Sequence, residues 1–177
     1  MFIKSKQLYI LIGDDRTGKT TLQKLLIKKL CGHAYDRLPT NLIFPITHAD
    51  IKRKYQTASF GNRSYQEKIG EYGTVDNYFN NHFRPADISF ISSHLVLEDV
   101  DAMIRNGRER FYNVNGVFFS NSITLNMPAN ASISALDWNE RFEIENTWSD
   151  VENTISDQLN TIADSIVTLI INRTGVS

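Results

Sequence analysis

Leu8-Tyr9-Ile10-Leu11-Ile12-Gly13-Asp14-Asp15-Arg16-Thr17-Gly18-Lys19-Thr20-Thr21 decides the fold. Residues 8–12 form an unbroken apolar run, which reads as a strand buried on both faces. Residues 13–20 fit G-x-x-x-x-G-K-[ST] at every fixed position. Over 21–30, Leu22, Leu25, Leu26 and Leu30 fall at helical spacing. Strand, glycine-rich loop and helix, in that order, let backbone N–H groups encircle a polyphosphate at a helix N-terminus. Gly13 and Gly18 open backbone conformations that a Cβ obstructs. Lys19 has the length to reach β- and γ-phosphates, and the Thr20 hydroxyl suits Mg²⁺, which prefers oxygen ligands. The expected nucleotide-binding set is therefore Gly13, Asp14, Asp15, Arg16, Thr17, Gly18, Lys19, Thr20 and Thr21, with Thr20 the metal-facing member.

Beyond this loop the chain alternates strand and helix. Residues 86–93 read as a second buried parallel strand, 97–110 as a helix, and 114–120 as the next strand. Residues 42–44 and 141–145 read as shorter strands, which brings the count to five. The last helix shows Val151, Ile155, Leu159, Ile162, Ile166 and Leu169 at intervals of three or four, behind a Ser149/Glu152 capping box. Successive β-α pairs predict a three-layer α/β/α domain, with helices on both faces of a mainly parallel five-stranded sheet. Right-handed crossovers then place a ligand at the carboxyl ends of the strands. The stretch 35–85 is rich in turns, aromatics and polar residues and reads as a substrate-side insertion, with short helices at 49–55, 63–68 and 75–82. The stretch 121–140, with Pro128 and many small residues, reads as a lid-like loop.

The 177 residues are enough for one domain with a sizeable core, and 41% hydrophobic and 22% charged residues are ordinary for a globular protein. No apolar run is long enough to cross a membrane. Residues 1–6 lack a long apolar segment, so no secretory signal is expected. A single cysteine, Cys31, forms no internal disulfide and fits a reducing, cytoplasmic setting. Net charge is −1, so nucleic acid is not an expected partner. The charge is uneven: no lysine or arginine occurs from 111 to 140, and acids dominate 137–164. His48, His82 and His94 lack zinc-site spacing.

The loop Gly13-Asp14-Asp15-Arg16-Thr17-Gly18-Lys19-Thr20-Thr21 resembles the Gly-x-Asp-x-x-Gly-Lys-Thr-Thr loops of P-loop kinases of the nucleoside and nucleotide kinase group. Phe142-Glu143-Ile144-Glu145-Asn146-Thr147 followed by a helix is similar to the last strand-loop-helix of such kinases, where the segment after the strand lies beside the ATP base. The resemblance covers both ends, about half the chain. It implies ATP and Mg²⁺ as cofactors, a nucleotide and a small-molecule acceptor as partners, and Asn146 near the base. It also implies an acid that organises Mg²⁺ or the acceptor, and lid arginines that neutralise the migrating phosphoryl group. Asp87 stands at the wrong end of its strand for that acid, which leaves Asp15, Asp14 or an acid of the middle segment. Arg141 is the first choice for the arginine, ahead of Arg16, Arg84, Arg105 and Arg108.

The expected activity is thus phosphoryl transfer to a small molecule such as a nucleoside or nucleoside monophosphate, with Lys19, Asp15 and Arg141 as the catalytic set. Tyr55, Phe60, Arg63, Tyr65, Tyr72, Tyr78, Phe79 and Arg84 could serve acceptor recognition, and most of the aromatics could equally serve packing. A regulatory nucleotide-binding switch and an NTPase module without kinase activity stay open, as does a homo-oligomer.

Overall fold

The computed structural model describes residues 4–174. The N-terminal segment read for a secretory signal lies partly outside them, at residues 1–3. The apolar run forms the centre of β1 (Lys6–Ile12), of which only Lys6 is not buried. Strand pleating sends its side chains to two cores. Leu8, Ile10 and Ile12 enter one, Tyr9 and Leu11 the other. The second of these is closed by α1 (Lys19–Cys31), through Leu22, Leu26, Ile27 and Leu30, and by α7 (Glu152–Arg173), through Leu159, Ala163, Ile166, Val167 and Ile170. The first is closed by α3 (Val75–Asn81) and α4 (Leu97–Glu109). On α4, a Cβ at Gly107 would lie 2.7 Å from Val114 Cγ2 and 2.8 Å from Leu8 Cδ2, so only glycine lets the helix lie this close to the sheet.

The remaining strands are β2 (Leu42–Pro45), β3 (Thr57–Phe60), β4 (Ile88–Ser93), β5 (Tyr112–Phe119) and β6 (Glu140–Ile144). Their order in the sheet is β2-β3-β4-β1-β5-β6. Every pairing is parallel except β2 with β3. The sheet thus has six strands, not the five expected. The extra one is β3. It is only four residues long, and its pattern is broken by Ser59, whose Oγ donates to Ser89 Oγ at 2.8 Å inside the sheet. A polar pair hidden between neighbouring strands does not register as an apolar alternation.

Three other local expectations are revised. Residues 49–54 form hydrogen-bonded turns, with Lys52 N and Tyr55 N donating to His48 O and Ile51 O, rather than a helix. The lid-like stretch holds two helices, α5 (Ser120–Leu125) and α6 (Met127–Ser134). Pro128 does not interrupt them, because it stands in the first turn of α6, where its missing N–H costs no bond. Asn126 caps that helix by accepting from Ala129 N. At α7 the expected capping box is absent. Ser149 Oγ accepts from Val151 N instead, within the preceding turn.

Around 65–81 lie a 3-10 helix (Tyr65–Lys68), α2 (Ile69–Tyr72) and α3, the last capped by Thr74 Oγ1, which accepts from Asn77 N at 3.0 Å. Tyr65, Tyr72, Tyr78 and Phe79 are buried together there, and Tyr55 and Phe60 are buried in the other core. These aromatics are packing residues. Among the described residues, no helix is long and apolar enough to cross a membrane.

Candidate functional site

The site sits where β1 ends between β4 and β5. The chain leaves β1 toward the β2 edge of the sheet and leaves the adjacent β5 toward the β6 edge, and open α/β sheets place ligands at such a point. Gly13 N donates to Ser93 O at 3.1 Å, so the loop leaves the sheet along the end of β4. It then reverses through two left-handed residues, Arg16 (φ 65°) and Gly18 (φ 107°). Thr17 Oγ1 braces the turn by donating to Asp14 O at 3.0 Å. A Cβ at Gly13 would lie 2.7 Å from that same Oγ1, so the first glycine of the motif makes room for this brace.

Helix α1 starts at Lys19 with no side-chain cap and no acidic residue in its first turn. Its leading N–H groups are therefore left for an anion. Lys19 is buried, and its Nζ donates to Gly13 O and, at 2.7 Å, to Asp14 O. Burial pulls its pKa down to about 8, against the opposing pull of Glu67, Asp15 and Asp14. Thr20 is exposed beside it and Thr21 is half-buried.

Strand ends hold the loop from below. Asn121 Nδ2 and Asn146 Nδ2 both donate to Thr17 O, at 3.3 and 3.0 Å. Ser120 Oγ donates to Asn146 O at 2.6 Å and accepts from Asn146 N at 2.8 Å, which locks the ends of β5 and β6 together. Both asparagines are buried. Asn146, expected beside the base, is thus a clamp on the loop backbone. Thr147 and Trp148, which follow it, line a small hollow of about 30 Å³ on the same side as Arg16 and Gly18.

On the other side of the loop, Gln23 of α1 is fully buried and donates to Gly61 O and Ser92 Oγ, both at 2.9 Å. It ties α1 to the ends of β3 and β4. Gln66 does the same for the 3-10 helix. Its Nε2 donates to Ser93 Oγ at 3.0 Å and Asp99 Oδ2 at 2.9 Å, and its Oε1 accepts from His94 N at 2.9 Å. This arrangement brings Glu67 to the loop. A cavity of about 260 Å³ opens over residues 15–21, walled by Asn62, Ser64, Glu67 and Ile155. A larger hollow, about 590 Å³, lies between β6 and α7. It is lined mainly by apolar side chains and contains none of the loop, so the smaller cavity is the one the loop borders.

Gly13, Asp14, Asp15, Arg16, Thr17, Gly18, Lys19, Thr20 and Thr21 lie together from the carboxyl end of β1 through the first turn of α1. Arg141 does not join them. On β6 it pairs with Gly116 of β5, which pairs with Ile10 of β1, so it stands two rungs short of the end of β1. Its guanidinium donates to Ser134 O at 3.0 Å. Among the other arginines, Arg105 pairs with Asp76 and Arg108 with Asp137, on the α4 surface. Arg16 borders both hollows beside the loop. Asp87 lies at the opposite end of β4, bound to Lys4 and to the backbone of Gln56. Glu67, Asn62, Gln66 and Asn121 escape a motif reading. Recognising β3 would have placed the first three at a strand's carboxyl end.

Comparison with protein-family models and with curated proteins finds no match to this chain.

Proposed function

We propose that this chain binds ATP with Mg²⁺ on residues 13–21 and transfers the γ-phosphoryl group to a small-molecule acceptor of the nucleoside or nucleoside monophosphate class. The observation that carries the reading is the open N-terminus of α1, wrapped by a loop whose lysine already lies across it. An uncapped helix start without acids favours a polyphosphate. The exposed Thr20 hydroxyl suits Mg²⁺, and the ion, when bound, spreads the charge of the phosphate oxygens.

Phosphoryl transfer demands alignment and charge neutralisation more than covalent chemistry. Lys19 would exchange the carbonyls of Gly13 and Asp14 for phosphate oxygens. Asn121 and Asn146 keep the loop backbone fixed while this happens, because both hold the carbonyl of Thr17. Arg16 takes the place first assigned to Arg141, since it is the arginine bordering the loop cavity. Asp15 and Glu67 supply the acid side. An acceptor hydroxyl placed there would form the new O–P bond as the bond to the bridging oxygen breaks. Its proton would pass to a carboxylate. The aromatic cluster is occupied by packing, so the acceptor pocket is polar, formed by Asn62, Ser64 and Glu67.

Calorimetry with Mg·ATP, followed by labelled ATP and a nucleoside and nucleotide panel, tests the proposal. Transfer to one acceptor is the expected result. Hydrolysis alone would mark an NTPase, tight binding without turnover a switch, and no heat at all would remove the nucleotide reading. Lys19→Ala should abolish binding in the same assay.

A further inference from the structure

We propose that Asp15, Glu67 and His94 form a binding site for a transition-metal dication of the Zn²⁺ class, at the rim of the phosphate loop and distinct from the Thr20 hydroxyl. The three residues come from separate segments: the loop itself, the 3-10 helix after β3, and the residue following β4. One ligand atom from each lies within 4.8 Å of the other two. His94 Nε2 is 3.3 Å from Asp15 Oδ1 and 3.5 Å from Glu67 Oε1. A tetrahedral ion with ligands at about 2.1 Å sets neighbouring ligand atoms about 3.4 Å apart. The two spacings are those of ligands around one ion.

The state of the imidazole points the same way. Nε2 is closed off from solvent and makes no hydrogen bond among the described residues, although two carboxylates face it. The carboxylate oxygens stand at ion-pair distance from Nε2 without the geometry of a hydrogen bond, so the three groups converge on one point without satisfying one another. A cation accepting the imidazole lone pair and both carboxylates would satisfy all three at once. The supports of the site are already built. Gln66 accepts from His94 N and is itself held by Ser93 and Asp99, and Glu67 is the next residue on the same turn. One side chain thereby fixes the backbone that carries one ligand relative to the strand end that carries another. Metal sites depend on such orienting contacts.

The donor set selects the ion. One imidazole and two carboxylates make three protein ligands with a fourth position open, as in reactive zinc sites. Mg²⁺ seldom takes imidazole and prefers six oxygens. Once occupied, the site would tie the phosphate loop to the ends of β3 and β4. It would also draw off negative charge that Asp15 and Glu67 present to Lys19. Binding of the ion needs no nucleotide and is tested separately, but the site shares Asp15 and Glu67 with the acid side proposed above, so an occupied site would compete with their role toward the acceptor.

The test is titration of the full chain with Zn²⁺ alone, without nucleotide, by calorimetry, and with Co²⁺ by visible absorption. One ion per chain and a Co²⁺ ligand-field band are expected. His94→Ala should weaken Zn²⁺ binding by about a hundredfold and Glu67→Gln by about tenfold, with the band lost or shifted. A drop in either variant supports the site. If His94→Ala does not fold, Glu67→Gln, at an exposed position, decides alone. Absence of both heat and band in the wild type, or equal affinity in wild type and variants, overturns the proposal.

Discussion

The backbone of one residue, Thr17, is where the loop is fastened. Its carbonyl accepts from Asn121 and Asn146, at the ends of two further strands. Asn146→Ala leaves Asn121 alone in that role and strips Ser120 and Asn121 of the partners that Asn146 Oδ1 supplies. The expected cost is about 1–3 kcal/mol in urea unfolding, with weaker ATP binding by calorimetry. Asn146→Asp should do no better, because a carboxylate cannot donate to the carbonyl. The two arginines divide as cleanly. Arg16→Ala should cut turnover by at least about tenfold in the labelled-ATP assay, whereas Arg141→Ala should leave it within about twofold. The reverse ranking would return the role to Arg141. The loop itself was legible because its pattern is local: glycines, lysine and threonine within eight positions. The role of Asn146 was not, because its bond to Thr17 spans 129 residues of chain. The distance of Arg141 from the loop was hidden for a related reason. Its position along the sheet is set by the β5-β6 register, which no residue type announces.

Among the elements, α7 does more than cover the sheet. Leu159 is buried against the loop, and a Cβ on Gly18 would meet its Cδ1 at 3.1 Å. The helix therefore backs the left-handed residue that turns the loop into α1. Leu159→Ala should cost about 2–5 kcal/mol by urea denaturation, since it opens a cavity in a close-packed region. The measured loss should come with weaker Mg·ATP binding, because the hollow lies directly behind Gly18. Unchanged nucleotide affinity in a destabilised variant would separate α7 from the site. The stripe of α7 was readable because apolar residues recur at helical spacing over 22 residues. Strand β3 was not, since four residues with Thr57 and Ser59 give too short a pattern. That omission also hid the acid side of the cavity: Asn62, Ser64 and Glu67 take their place from the end of β3. Helices α5 and α6 were misread as loop because Pro128 looks like a breaker unless its position within the helix is known.

Across the whole molecule the two ends of the sheet carry different duties. The carboxyl end gathers the loop, while the amino end is stapled by Asp87. Burial alone would raise the Asp87 pKa. The ammonium of Lys4 and the N–H groups of Gln56 and Thr57 outweigh it and hold the carboxyl below its usual value. A carboxyl depressed in the folded state contributes its stability above the unfolded pKa and loses it as pH falls through the folded one. Asp87→Asn should therefore destabilise the protein at neutral pH and flatten the acid limb of a stability-pH profile, while leaving metal and nucleotide binding at the far end intact. Global opening can be followed independently at Cys31, the one cysteine of the chain. It is buried at the end of α1, and burial pushes its thiol up to about 12. Thiolate is the reactive form, so native Cys31 should resist a thiol reagent at neutral pH. Labelling should then require opening of the core that α1 shares with α7, at a rate that tracks unfolding in urea. Leu159→Ala should speed it and saturating Mg·ATP should slow it. Fast labelling of the native protein, indifferent to both, would show that the α1 end opens on its own and that the loop and core are not coupled.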